Sequence, residues 1–201
     1  MIFSTIDVFL EYVEANAAID FLSISPSISL AESKYLKPIT GSDYYDYLVT
    51  QAAHIGDANE TTKAIITLAR NAVANLALAL YTPIAEVQIT DSGVRRGHSE
   101  ASPGAFRYQV ENAQQAYLER GFQYLEDLIG LMEAGSGDQG IEIWTASEEF
   151  ATLTELFIRT GKEFERYIST LRYPRRMFLL LRTAMVNVQE LQIAPAISSA
   201  I

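Results

Sequence analysis

The chain has no cysteine, two histidines and one tryptophan in 201 residues. Without cysteine there is no disulfide, no thiolate metal site and no thiol nucleophile. His54 and His98 leave little for a histidine-built metal centre or a triad, and neither follows a carboxylate at the Glu-x-x-His spacing of di-iron bundles, since Gln51 and Arg95 occupy those positions. Phosphate-binding glycine patterns, GxSxG, HExxH and EF-hand loops are also missing. No catalytic, cofactor-binding or metal-ligating residue is assigned, and the chain is read as a non-enzyme. Long apolar runs are absent too: residues 72–81 form the longest, interrupted by Asn75, whereas a bilayer span takes roughly 20 residues. That run is expected to be a buried helix, with no membrane contact. The opening MIFSTIDVFLEYVEAN lacks a basic start and is not expected to be a secretory leader.

What is present is helix-forming. Hydrophobic residues make up 49% and charged residues 20% of the chain, with a mean hydropathy of +0.07, values of a folded single domain over 1–201. Ser4 and Asp7 before Val8, Phe9 and Tyr12 predict a first helix over about 5–17. Pro26, Ser29 and Glu32 open a second helix that Lys37-Pro38 closes. A third, over Tyr44 to Leu48, is capped within 40–42. Asp57 and Asn59 start a fourth that is apolar nearly all round, which places it mid-bundle, and Thr82-Pro83 stops it. Phe106, Val110, Ala113, Tyr117, Gly121, Tyr124, Leu128 and Leu131 repeat at helical steps, predicting a long central helix over 103–134. Its small residues Ala113, Ala116 and Gly121 admit a close neighbour.

The one β signal is a short hairpin near 86–96, an insertion over 84–98, turning at Asp91-Ser92-Gly93. The glycine-rich loop 135–140 leads to Trp144. A further helix is expected to turn Phe150, Leu153, Leu156 and Phe157 inward. Pro174 begins the last helix, with Phe178, Leu181, Met185, Val188 and Leu191 inward. The fold class is therefore all-α, a multi-helix bundle around a long central helix with one short hairpin. Phe9-x-x-Tyr12 and Phe164-x-x-Tyr167 form an echo without strict spacing, compatible with duplication or with shared helix chemistry.

Charge is unevenly divided. The net charge is -10, but residues 1–158 hold 8 Lys+Arg against 22 Asp+Glu, while 159–201 hold 7 against 3. This basic C-terminal helical part is a candidate docking surface for something acidic. Arg172, Arg175 and Arg176 flank a helix start, where cations oppose the dipole unless a carboxylate lies near. That carboxylate belongs either to the chain, with Glu163 and Glu165 as candidates, or to a partner. Arg95 and Arg96, beside His98, are a partner or phosphate contact or else a charged edge that blocks sheet pairing. Trp144 is a core lid or an interface anchor.

In order, Ala31-Glu32-x-x-Tyr35-Leu36-x-Pro38-Ile39, Ser92-Gly93-Val94, the long helix, Trp144-x-x-Ser147, Phe164-x-x-Tyr167 and Arg176-x-Phe178 resemble structural proteins of tailed phages that infect Bacteroidetes. That family is similar to helical head-tail connector (adaptor) proteins. The resemblance implies a subunit of a closed dodecameric ring in the virion neck, assembled in the bacterial host cytoplasm without a cofactor. The ring would dock on the portal protein, contact further neck or tail proteins and extend the channel through which DNA passes. An acidic balance suits a channel wall that phosphate must slide past. The alternative is a stand-alone bacterial helical module for protein binding or regulation, with one concave apolar groove.

Overall fold

The computed structural model describes residues 1–13, 19–85, 87–90, 93–96, 107–135, 140–148, 150–151, 156–168 and 170–195. It is all-α apart from one ribbon. The centre is α5 (Glu60–Ala85), where Ile66, Ala69, Val73 and Leu76 are fully buried. The helix is long and apolar enough to cross a membrane, but 67% of its apolar stretch is buried within the protein. Asn59 starts it by accepting the Thr62 N–H at 2.8 Å. The expected stop at Thr82-Pro83 does not occur, and α5 runs on to Ala85. Pro83 cannot donate to the Ala79 carbonyl, and the Gln114 side-chain amide donates to it instead at 3.1 Å. A donor from a neighbouring helix thus removes the cost that would have ended α5.

That neighbour is α6 (Arg107–Ala134), the predicted long helix, whose expected residues 103–106 lie outside the described ones. It packs along α5 at Gly121, where an added Cβ would come within 2.6 Å of Leu76 Cγ. Ala116 is exposed and takes no part in this approach. Between the two helices in sequence, β1 (Val87–Thr90) and β2 (Gly93–Arg96) pair antiparallel, with Val87 opposite Arg96 and Thr90 opposite Gly93.

The N-terminal part closes the other side of α5. The first helix, α1 (Ile6–Leu10), is capped by Thr5 rather than Ser4 and is shorter than expected, with 14–18 outside the described residues. Next, α2 (Phe21–Ala31) starts at an Asp20 cap, before the expected Pro26. Pro26 sits inside it, and the Leu22 carbonyl that it cannot serve accepts the Ser25 hydroxyl at 3.3 Å. The expected stop at Lys37-Pro38 is also overturned: a wide π turn, Glu32–Leu36, carries the helix past the proline into α3 (Lys37–Thr40). The rod ends at Gly41, whose φ of 73° suits glycine.

Two buried charges tie this segment down. Glu32 accepts the Ile2 N–H at 2.6 Å and the Tyr45 hydroxyl at 2.9 Å. Burial, with Glu32 adding to it, pushes the Tyr45 hydroxyl well above the usual tyrosine range. Arg70 donates to the carbonyls of Ile2 at 3.2 Å and Ala52 at 3.0 Å. Among the described residues, further α-helices are α4 (Ser42–Ala53), α7 (Ile141–Thr145), α8 (Gly161–Tyr167) and α9 (Pro174–Val188), the last followed by a second wide turn, Gln189–Ile193.

Candidate assembly surface

The C-terminal helices are held by a ladder of carboxylates on α6. Glu119, Glu126 and Glu133 recur every seven residues, so they share one face of the helix. At the top rung, Glu133 accepts the Gly161 N–H at 2.6 Å and bonds the Lys162 backbone as well. The start of α8, whose Thr160 cap already accepts the Glu163 N–H at 3.1 Å, gains an anionic partner there. Glu126 does the same for α9, accepting the N–H groups of Arg175 at 2.7 Å and Arg176 at 3.0 Å. Pro174 at the first turn has no N–H, and Tyr173, at φ 60°, gives no side-chain cap. A carboxylate from another helix therefore does the capping.

The third rung fixes the strained residue. Tyr173 donates its hydroxyl to the Glu119 carbonyl at 3.2 Å, and Arg172 pairs with the Glu119 carboxylate at 3.1 Å. Gln115, then Arg172, hold that carboxyl below the ordinary range. Desolvation acts the other way on the buried rungs. Burial raises the Glu126 and Glu133 carboxyls above their ordinary value, outweighing the N–H bonds each accepts. Oε2 of Glu133 and Nε of Arg175 are buried without a hydrogen-bond partner.

The three arginines at this helix start are engaged within the chain. Arg172 meets Glu119, Arg175 meets Glu165 at 3.4 Å, and Arg176 stacks 4.0 Å above the Phe122 ring, where burial lowers its pKa. Of the carboxylates expected to answer the dipole, Glu165 is present as an ion-pair partner, but the cap itself is Glu126. No sequence signal near Pro174 points to a residue 48 positions away. Only the seven-residue spacing of the glutamates was legible.

Trp144 is 2% exposed, and its Nε1–H donates to the Ile39 carbonyl at 3.1 Å, so it lids the core and is not an interface anchor. Arg95 and Arg96 lie on β2, with side chains outside the described ones.

The C-terminal helix faces the body only partly as expected. Arg175 and Arg176 meet α6, and Arg182 reaches the Pro38 carbonyl at 3.4 Å, so its cations face the body. Leu180 is exposed at 56%, whereas Leu179 is buried. Of the stripe expected inward, Phe178 is fully buried and Met185 packs half-buried against the core, whereas Leu181, Val188 and Leu191 are exposed, the last at 75%. Phe157, also expected inward, is 64% exposed. Between residues 156–158 and α9 lies an apolar groove of about 330 Å³, lined by Phe157, Leu181, Met185, Val188 and Ile193. The start of α9 is set by the Glu126 cap and the Arg176–Phe122 stack, and Leu180, Val188 and Leu191 stay on the surface.

These features define a class, an all-α protein with a buried central helix and an outward apolar face at its C-terminal end. Among the described residues no three His, Asp or Glu gather as a metal site would require. Residues 27–152 match a family of unknown function, DUF6712, and the chain belongs to that family. The matched region ends before α8 and α9. No curated protein matches the chain. No solved structure matches it either.

Proposed function

We propose that the protein is a non-enzymatic structural subunit that assembles with copies of itself into the head-tail connector ring of a tailed phage. The observation that carries this reading is the outward apolar face of α9. Soluble monomers rarely leave a contiguous apolar face in water, because covering it releases about 25 cal/mol per Å². Leu180, Leu191 and Phe157 at 56%, 75% and 64% exposure stand on or beside one helix and suit a protein interface. The motif resemblance supplies the type of assembly: a closed, dodecameric ring in the virion neck, assembled in the host cytoplasm, seated on the portal and contacting further neck or tail proteins. DNA is a passing occupant of its channel, and the net charge of -10 suits a wall with little grip on phosphate. The ribbon β1–β2, with Arg95 and Arg96 on its second strand, is the part proposed to reach a neighbour.

A second reading, a stand-alone helical binding module, is favoured by the apolar groove beside α9. Native mass and negative-stain images of the purified full chain separate the two. Closed rings support the connector. A monomer or dimer at every concentration supports the module and refutes the ring.

A further inference from the structure

We infer that the groove between α9 and the end of the rod, Lys34 to Ile39, takes an acidic side chain, Asp or Glu, of a partner protein. This goes beyond the ring reading and holds for a monomer as well. The groove has a volume of about 150 Å³, with Lys34, Tyr35 and Ile39 on one side and Arg176, Leu179 and Arg182 on the other. Three cations line it and, among the described residues, no carboxylate does. Contacts place each charged head at this opening. Nη1 of Arg182 donates to the carbonyl of Pro38, another lining residue, at 3.4 Å. The Lys34 ammonium lies 5.0 Å from the centroid of the Tyr35 ring. The Arg176 guanidinium stacks 4.0 Å above Phe122, whose ring centroid is 5.7 Å from that of Tyr35.

None of the three cations forms an ion pair among the described residues. Glu126 acts on Arg176 through its charge, but its two oxygens accept the backbone N–H groups of Arg175 and Arg176. A guanidinium stacked on a ring keeps its donors in its own plane, free to meet a carboxylate edge-on. Such bonds are charge-assisted and often two-pronged, so one acid can serve more than one of these cations. Size and wall chemistry choose the occupant. Small-molecule sites hold about 300–1,000 Å³, so this groove suits a single side chain rather than a nucleotide or a sugar phosphate. Ile39, Leu179 and the Tyr35 ring match the methylenes of an acidic side chain, which a phosphodiester lacks. Leu180, 56% exposed on the groove's edge, offers an apolar contact to the next residue of the same peptide. The net charge of -10 also repels a polyanion such as DNA.

The probe is N-acetyl-Leu-Glu-Leu-amide, whose only charge is the glutamate, compared with its Gln analogue. Saturation-transfer NMR on the peptide reads binding to the full chain in any assembly state. The Glu peptide is expected to bind with a dissociation constant of about 1 mM, and the Gln peptide about tenfold or more weaker, the loss of one charge-assisted bond. Arg182→Gln and Lys34→Glu should each weaken the Glu peptide by a similar factor and leave the Gln peptide unchanged. Lys34 is exposed, so Lys34→Glu should keep the wild-type melting temperature, and it serves alone if Arg182→Gln melts early. Equal binding of the two peptides, no binding of the Glu peptide, or binding that Lys34→Glu leaves unchanged overturns the inference. Inorganic phosphate or a short thymidine oligonucleotide that displaces the peptide and binds more tightly than it does overturns the choice of a carboxylate.

Discussion

Replacing Glu126 by alanine should detach the start of α9 while leaving α5 and α6 in place. The carboxylate is 7% exposed and accepts the N–H groups of Arg175 and Arg176, at 2.7 Å and 3.0 Å. Bonds to a charged acceptor contribute about 1.5–3 kcal/mol each, and a lost helix cap costs about 1 kcal/mol. Against these stands the desolvation that raises this carboxyl above its ordinary range. The net expected loss is about 3 kcal/mol, a fall in melting temperature of roughly 6–12 °C for a chain of this size. Glu126→Gln keeps one acceptor oxygen and removes the buried charge, so about 1 kcal/mol is expected.

The pH dependence has a definite sign. A carboxyl raised by folding adds stability below the ordinary carboxyl range and loses it as pH rises through the folded value. Wild type should therefore gain on the Gln variant, which cannot titrate there, as pH falls from 7 toward 4. Chemical denaturation of the three proteins across that range gives the free energies. Amide hydrogen exchange should show protection lost over α8 and α9 before α5. An alanine variant within 0.5 kcal/mol of wild type, on the scale of surface substitutions, would refute the capping account. A difference between wild type and Gln that moves the opposite way with pH would show instead that the N–H bonds outweigh burial.

Four further outcomes follow from the same contacts. Gly161→Ala places a methyl 2.8 Å from Arg175 Cα and must push α8 and α9 apart, at an expected cost of about 1–3 kcal/mol in denaturant melts. Arg70→Met leaves the Ile2 and Ala52 carbonyls without their donor and should cost about 2–4 kcal/mol, read as a lowered denaturation midpoint with the N-terminal segment exchanging first. Trp144→Phe removes the bond to Ile39 and part of the ring volume and should cost about 1–2 kcal/mol, whereas Trp144→Ala opens a larger cavity and should cost about 3–5 kcal/mol by the same melt. Arg172→Glu alters an exposed pair and should leave the melting temperature nearly unchanged in a thermal scan.

Helix-forming segments were legible in the sequence because caps and three- to four-residue periodicity are local. Asn59 opening α5, the long repeat ending at Ala134 and Pro174 in the first turn of α9 all rest on neighbours within one or two turns. The apolar surround of α5 likewise announced its place at the centre. What tertiary structure decided involves partners distant in sequence. Pro83 and Pro38 fail to stop their helices because the Gln114 amide serves the orphaned carbonyl in one case and a wide turn accommodates the ring in the other. The Arg172 cation and the backbone N–H groups of Arg175 and Arg176 are answered by α6 glutamates about 50 residues earlier. Most of all, periodicity located the apolar stripe of α9 but not the direction it faces. An amphipathic helix reads the same whichever side meets the body, and here Phe178 and Leu179 pack inward while Leu180, Val188 and Leu191 stay exposed.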